Sequence, residues 1–482
     1  MKAVDRLKEE ETLDPENWDE LTALAHNMVD DMMAFLKNIR KHQISPVTEE
    51  VLKRIQQPLP FKPQGYEQVY KEFLENVLPY PVPGIHPYFW GYVMGTGSPL
   101  GVLAEMLAAA MNSSGPRFFS PFHIEQQVLQ WFKEIMNYPA EASGVLVSGG
   151  SMANFTGLAV ARNAKARVNM KKQGLQGIQP KMVLYASKET HQCITRSVEL
   201  LGLGSDAFRL IPVNESFQID INALETAIEN DRGSGFHPFC VVGNAGSVNT
   251  GAFDDFNALA DLCQREDMWL HVDGAFGAWA KLSPTHNHLA RGMERADSLA
   301  FDLHKWMYMP YEIGCTLVRD KEAQCKTFMY EAEYLETISE RHDPTNYSVQ
   351  LSRNFKALKA WFLMRADGME KYARLIQQNI DQAYYLAELV QKAPELELVT
   401  PVSLNVVCFR YVAHGLGEEA LRQLNHELLL RLWRSGIVPS DTTVGGKYTL
   451  RVCITNHRSK REDFDRLVEE VIRIGNSLIQ SA

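Results

Sequence analysis

Between residues 144 and 320 the chain repeats one pattern: short apolar runs, GVLVS, MVLYA, FRLIPV, FCVVGN, WLHVDGA, SLAFDLH and GCTLVRD, alternating with stretches of helical periodicity. Several of the runs are β-branched and nearly continuous in hydrophobicity, and Gly, Asn or Asp bounds them. That pattern suits strands buried on both faces of a largely parallel sheet. Alternating β and α units then predict an α/β domain with helices on both sides of the sheet. Ligands of such sheets bind beyond the carboxyl ends of the strands, so polar residues there carry more weight than the same residues elsewhere.

Around this block the pattern changes. From Trp18 to Ile39, the residues Leu21, Leu24, Ala25, Met28, Met32, Phe35, Leu36 and Ile39 fall at helical spacing, leaving one apolar face. The face packs on its own domain or forms an arm against a second subunit. PLPFKPQGY and LPYPVPGIHPYFW are too rich in proline for helix interior. The segment PLGVLAEMLAAAM, with Glu105 inside it, reads as a buried helix. Beyond Phe355 a long helical pattern, two strands (LNVVCFRYV and KYTLRVCIT) and a last amphipathic helix predict a smaller α+β domain. The boundaries expected are 1–85 for the N-terminal segment, 86–355 for the large domain and 356–482 for the small one.

Composition narrows the partners. With 49 basic against 59 acidic residues the net charge is −10, which argues against nucleic acid and for a small molecule. The seven scattered cysteines contain no C-x-x-C pair. They read as buried free thiols rather than a disulfide framework or a metal site. MKAVDRLKEEETLDPENWDE holds no apolar signal region, and no run approaches a membrane span. The expectation is a soluble, cytoplasmic protein with neither membrane nor nucleic-acid partners.

Four motifs can carry chemistry. In GVLVSGGSMANF a strand leads through Gly149, Gly150 and Ser151 into a helix, whose free N–H groups suit a phosphate; an ordinary Ser-capped turn gives the same letters. In WLHVDGAFG, His271 and Asp273 alternate onto one face of a strand, with Asp273 at its end. It is either a turn residue or a buried carboxylate that holds a proton on a ligand nitrogen. In SLAFDLHKWMYMPYEIGC, Lys305 follows an apolar strand beside Trp306 and Met307. Burial there would lower its pKa and make the amine a nucleophile toward an aldehyde, unless the chain simply snorkels. His304 donates to a phosphate or fills the turn. In YASKETHQCITRSVELLG, His191 starts a helix, as a cap or as a functional imidazole. His286 and His288 lie in polar loop sequence and read as solvated. Taken together, a lysine, a strand-end carboxylate, a phosphate turn and a flat group form the set that pyridoxal phosphate needs.

On these residues the chain resembles the group II pyridoxal-phosphate-dependent amino-acid decarboxylases, the family of aromatic-amino-acid, histidine and glutamate decarboxylases. The likeness runs from HPYFWGYVMGTGSPLGVLAEML through SGGSMAN, ETHQCITRSVELLG, HVDGAFG and DLHKW to LRVCITNHR. It implies a fold-type-I, aminotransferase-like transferase fold with a mostly parallel seven-stranded sheet. It also implies a homodimer clasped by the N-terminal segment, pyridoxal 5'-phosphate as cofactor, and α-decarboxylation of an L-amino acid to its amine and carbon dioxide. By position, Lys305 resembles the lysine that carries the cofactor and Asp273 the partner of the ring nitrogen. His191 resembles the imidazole stacked on the ring, Ala275 the small residue on the opposite face, and Ser247 a residue near the ring. Gly150, Ser151 and His304 resemble the phosphate contacts.

Two departures bear on substrate. Val93 and Gly95 stand where aromatic-acid decarboxylases resemble one another in having Phe and Thr, and Arg117 stands in a segment that by resemblance reaches the partner's site. Arg117 would hold an acidic side chain or make an interface salt bridge, with Phe118 or Phe119 lining an aromatic pocket. Tyr347, in ISERHDPTNYSVQLSRNF, is the candidate for the family's proton-donating loop tyrosine. The competing readings are another outcome on the same cofactor, such as an aldehyde synthase or a Cα–Cβ lyase, and an inactive homologue that serves as a binding partner.

Overall fold

The structure is a computed structural model that describes residues 11–113, 118–329 and 346–480. It divides into two compact units, Met1–His86 and Pro87–Ala482.

In the first unit the predicted N-terminal helix runs from Trp18 to Lys37. The side chain of Asn17 caps it by accepting from the Asp19 and Glu20 amides. No residue of this helix is fully buried; Leu21, Leu24, Met28, Met32, Phe35 and Leu36 of its apolar stripe are half-buried. Two further helices, Glu49–Ile55 and Tyr66–Asn76, were not expected from the sequence. The Tyr70 hydroxyl donates to Asp31 Oδ2 at 2.7 Å, tying the last helix to the first.

The second unit holds both sheets. All seven expected runs are strands: β1 (Ser143–Val147), β2 (Met182–Ser187), β3 (Phe208–Ile211), β4 (His237–Asn244), β5 (Trp269–Asp273), β6 (Ser298–Asp302) and β7 (Gly314–Val318). They form one sheet in the order β1-β7-β6-β5-β4-β2-β3. Only β7 runs antiparallel, against both β1 and β6; the other pairings are parallel. The fold is thus α/β with a mostly parallel seven-stranded sheet, as expected. Its register aligns Asn244 with Asp273 and Asp273 with Ala300, so the carboxyl ends of β4, β5 and β6 open on one edge. Against one face, Phe132, Trp279 and Phe301 pack edge to face with centroids 5.2 to 5.9 Å apart.

A second, antiparallel sheet has the order β10-β11-β9-β8, from β8 (Leu396–Leu398), β9 (Val406–Tyr411), β10 (Ser440–Val444) and β11 (Lys447–Cys453). The sequence showed β9 and β11 but not β8, which is three residues long, nor β10, whose SDTTV is too polar to read as a strand. The long helical pattern after Phe355 is two helices, Ala357–Asp367 and Met369–Lys392. Gly368 breaks it at φ 70°, a conformation that glycine adopts without strain.

One expectation fails. The helix Pro99–Met111 buries only Gly101 and Ala104; Val102, Met106, Leu107 and Met111 are exposed. Its Glu105 has a structural task instead, pairing with Lys359. That lysine is 1% exposed and also donates to the Pro310 and Glu312 carbonyls at 3.0 and 3.1 Å. Removing one partner of a buried ion pair leaves a charge under-compensated. Glu105→Ala should therefore destabilise the protein by about 2 kcal/mol, less than the full penalty because two carbonyl acceptors remain. Denaturant unfolding with the midpoint unchanged would show that the pair contributes nothing.

Candidate active site

The strand ends of the large sheet and one edge of the small sheet enclose a cavity of about 490 Å³, a size usual for cofactor sites. Ser148 to Ser151, His191, Asp273, Ala275, Asp302, His304 and Lys305 line it from the large sheet, and Ser440, Asp441 and Arg451 from the small one. The expected residues Gly150, Ser151, His191, Asp273, Ala275, His304 and Lys305 therefore meet in one place. The carboxyl ends of four strands, β1, β2, β5 and β6, and the loops and helix starts just past them deliver these residues.

The glycine turn leads into the helix Gly150–Lys165, which has no side-chain cap, so its first N–H groups are open to an anion. The glycines serve close approach rather than unusual torsion, since φ at Gly149 is 166°, ordinary extended backbone. A Cβ at Gly150 would lie 2.7 Å from Asp302 Oδ2, and one at Gly149 would lie 2.9 Å from the His304 ring.

His191 caps the helix Gln192–Leu200. Its Nδ1 accepts from the Cys193 amide at 3.2 Å, which leaves Nε2 to carry the proton of a neutral ring. Burial, opposed by Asp273 and reinforced by Lys305, holds its pKa below the usual histidine value. Asp273 is buried at the end of β5, where Oδ1 accepts from the Ala275 amide at 3.1 Å. Cys193 Sγ lies 3.9 Å from Oδ2, and burial pushes that thiol up to about 12, so it stays protonated. Behind this layer His271 is fully buried between Ser298 Oγ and Asn154 Oδ1, both at 2.8 Å from its ring nitrogens. Burial takes it down to about 3. It is a neutral structural residue on the far side of β5's task.

Lys305 departs from expectation. Burial pulls its pKa down, but the charge of Asp302, whose Oδ2 is 2.9 Å from Nζ, outweighs that, with Asp273 adding to it. The net displacement is upward, so the amine is held as an ammonium rather than primed as a nucleophile. Asp302, the last residue of β6 and 1% exposed, escaped sequence reasoning because a strand-terminal Asp reads as turn chemistry. Arg451 escaped it too, lying in the middle of an apolar strand, LRVCIT. It is 3% exposed and donates through Nη1 to the Tyr92 carbonyl at 2.9 Å and to Ser440 Oγ at 3.3 Å. Among the described residues its Nε and Nη2 have no hydrogen-bond partner.

Other expected residues lie elsewhere. The Ser247 hydroxyl closes its own turn, 2.9 Å from Thr250 Oγ1 and accepting from the Ala252 amide; its neighbours Gly246, Val248 and Asn249 line the cavity and it does not. Tyr347 packs in an apolar cluster with Val145, Val147, Ala153, Ala300 and Cys325, away from the cavity wall. Gly95 shapes no pocket. A Cβ there would fall 1.4 Å from the His304 carbonyl oxygen, so backbone contact dictates glycine, while Tyr92 and Val93 face the cavity. Phe118 and Phe119 are exposed, and Arg117 lies outside the described residues. His286 contacts Tyr384 and Thr285, and His288 the Thr285 carbonyl, at the surface.

Comparison with known proteins agrees with this geometry. Residues 49–412 match the pyridoxal-dependent decarboxylase conserved domain. The chain is 31% identical over 464 residues to an aromatic-L-amino-acid decarboxylase of Bacillus atrophaeus, covering 94% of this chain and 95% of that protein. It superposes on the crystal structure of Oryza sativa TDC with PLP and tryptamine at a TM-score of 0.90, with 25% identity and coverage of 97% and 100%. A glutamate decarboxylase domain from Vibrio parahaemolyticus matches at 0.84, again with 25% identity, over 99% and 100% of the two chains. With most of its length matched, the chain belongs to the pyridoxal-dependent decarboxylase family, whose reaction is the pyridoxal-phosphate-dependent decarboxylation of an amino acid.

Proposed function

We propose that the cavity binds pyridoxal phosphate through Lys305, Asp273, His191, Ala275, Gly150, Ser151 and His304, and that it releases carbon dioxide from an L-amino acid with an aromatic side chain. The observation that carries the reading is the convergence of Lys305, Asp273 and His191 on one cavity that ends at an open helix N-terminus. The donor set fits the cofactor. The Gly149–Ser151 turn offers N–H groups to the phosphate. Asp273 is buried and fixed by the Ala275 amide, as a partner for a ring nitrogen must be. His191 and Ala275 supply a flat and a small wall. When bound, pyridoxal phosphate supplies an electron sink conjugated to the substrate Cα. The chain's part is to keep that sink effective. Asp273 Oδ holds a proton on the ring nitrogen, and His191 Nε2 carries a proton facing the cavity that is available to Cα.

If Asp273 has this role, Asp273→Asn keeps shape and loses charge. Carbon dioxide release should fall about 10²- to 10³-fold, several kcal/mol of barrier for one charge-assisted contact. Turnover near that of the parent would leave Asp273 a turn residue.

The aromatic preference rests on the cavity wall, where Tyr92, Val93 and Phe276 face the site, and on the likeness to an aromatic-L-amino-acid decarboxylase. A second reading has one observation in its favour, the unsatisfied guanidinium of Arg451. A carboxylate that must depart gains nothing from a salt bridge formed in the ground state, so Arg451 suits a side-chain carboxylate that stays. The experiment is a panel of amino acids scored for carbon dioxide, amine, aldehyde and hydrogen peroxide. The proposal expects phenylalanine, tyrosine, tryptophan or dihydroxyphenylalanine to give equal carbon dioxide and amine. Turnover of glutamate or aspartate alone, with KM raised selectively by Arg451→Met, would replace it with the acidic reading. Aldehyde with peroxide would make the protein an aldehyde synthase, and no product from any amino acid would revive the binding-partner reading.

The assembly proposed is a homodimer at work in the cytoplasm, with segment 1–85 as the dimerisation arm, 86–355 as the cofactor domain and 356–482 as the small domain. An exposed apolar face on the helix Pro99–Met111, with Val102, Met106, Leu107 and Met111, supports it, as does the absence of any fully buried residue on the helix Trp18–Lys37. No described helix is long and apolar enough to cross a membrane. Sedimentation should show a dimer at every practical concentration. A truncation beginning after Lys41 that remains dimeric and active would remove the arm.

A further inference from the structure

The Lys305–Asp302 pair goes beyond the roles assigned above. Asp302 ends β6, three residues before Lys305. Its position is fixed by the backbone, since its amide donates to the Ala275 carbonyl at 2.9 Å and strand pairing sets it opposite Gly314. Glycines crowd its carboxylate: a Cβ at Gly150 would sit 2.7 Å from Oδ2 and one at Gly314 2.7 Å from Oδ1. Among the described residues neither oxygen has a conventional hydrogen-bond donor. The ammonium of Lys305 at 2.9 Å is its ion-pair partner, with His304 Nε2 further off at 3.7 Å. A carboxylate so thoroughly removed from water must be compensated, and one cation does it.

We propose that Asp302 is a positioning residue for Lys305: while the lysine is not engaged with the cofactor, Asp302 keeps it protonated, aimed at the glycine turn and protected from electrophiles. The inference rests on Lys305 being the cofactor lysine. An unpaired amine in an open cavity would react with any small aldehyde or acyl donor that enters. An ammonium does not, because its lone pair carries the proton. The other titratable groups acting on this pair are Asp273 at the end of β5, His191 and Cys193 at the start of the Gln192 helix, His304 and Tyr311 on the segment after β6, and Cys453 at the end of β11. Glu312, Asp441 and Arg451 line the same cavity. Of the carboxylates, Asp302 is the one in ion-pair contact with Nζ, and Asp273 acts from further away.

The sign of the effect follows. Asp302→Asn keeps the shape of the side chain beside Nζ but removes the charge that favours the ammonium. Burial then dominates, and Lys305 deprotonates at lower pH. The test uses the full-length protein stripped of cofactor and a trace of acetic anhydride across pH 6 to 11. Mass spectrometry quantifies acylation of the Lys305 peptide against exposed lysines in the same digest. In the parent, Lys305 should acylate at higher pH than the exposed lysines. In Asp302→Asn its profile should move down by about one pH unit or more, a roughly tenfold gain in reactivity near pH 8. Asp302→Glu, which restores a carboxylate, should move it back toward the parent. If the Asn variant does not fold, Asp302→Ser serves, being small and uncharged. An unshifted profile in the neutral variant, or a Glu variant that behaves like Asn, overturns the proposal. Borohydride reduction of the parent with pyridoxal phosphate is a separate arm: an adduct on another peptide refutes Lys305 as the cofactor lysine, whereas the acylation profiles judge Asp302 alone.

Discussion

Two carboxylates buried at neighbouring strand ends set the terms for everything in the cavity. Asp273 closes β5 and Asp302 closes β6, and both are withdrawn from water. Charges placed so must be matched by cations or by hydrogen-bond donors. Asp273 has the Ala275 amide and the Cys193 thiol, while Asp302 has Lys305. The parallel sheet is what makes the arrangement affordable: strand pairing fixes both side chains on one edge before any ligand contributes. The helix Gly150–Lys165 then brings a positive dipole end to the same edge. The glycine turn and the two carboxylates are therefore positioned by the backbone, and the ammonium by its pairing with Asp302.

The residues proposed to carry the chemistry were legible because each sits next to a strand that announces itself. GVLVS, WLHVD and SLAFD are apolar enough to be read as strands, and a polar residue just past an apolar run stands out. Lys305, Asp273 and His191 were found for that reason, and the structure gathers them. The charge state of Lys305 was not legible, because it depends on a contact to Asp302 whose distance no spacing rule supplies. Nor was Arg451, which is hidden inside a strand that reads as core. Ser247 shows what position alone leaves out. Position alone suggested a cofactor contact, yet its hydroxyl is consumed by its own turn.

The fold shows the same division. Continuous apolar runs predicted all seven strands of the large sheet; six of them are buried nearly throughout, which keeps polar residues few, and only the edge strand β3 exposes a side chain, Leu210. The small sheet is antiparallel, and its partly exposed edge strands, SDTTV and LEL, carry too little hydrophobic signal. The helix Pro99–Met111 was read as buried because its composition is apolar, but apolar composition states that a surface needs a cover, not where that cover comes from. Among the described residues Gly101 and Ala104 are the buried ones, with Leu100 and Ala108 partly packed on the core. The Trp18–Lys37 helix poses the same problem, with a clear stripe and no fully buried residue.

The division of labour between the two sheets bears on how such a site can change substrate without losing its reaction. The groups assigned to the cofactor come from the large sheet, held by parallel pairing and by glycines that admit no side chain. Arg451, Ser440 and Asp441 come from the small sheet, whose strands β10 and β11 meet at the cavity edge through the Ser440–Arg451 pair. Tyr92 adds to this wall in a left-handed conformation, φ 57°, its carbonyl held by Arg451 Nη1. A non-glycine residue at positive φ is strained, and such strain persists only where the surroundings fix it. The guanidinium thus holds the turn that presents Tyr92 and Val93, while among the described residues its Nε and Nη2 have no hydrogen-bond partner. Substitutions on this wall alter what fits beside the lysine while leaving Asp273, His191 and the glycine turn in place. The residues proposed for the cofactor come from the large sheet, while the wall beside them is shared between the small sheet, Tyr92 and Val93, and Phe276 just past β5.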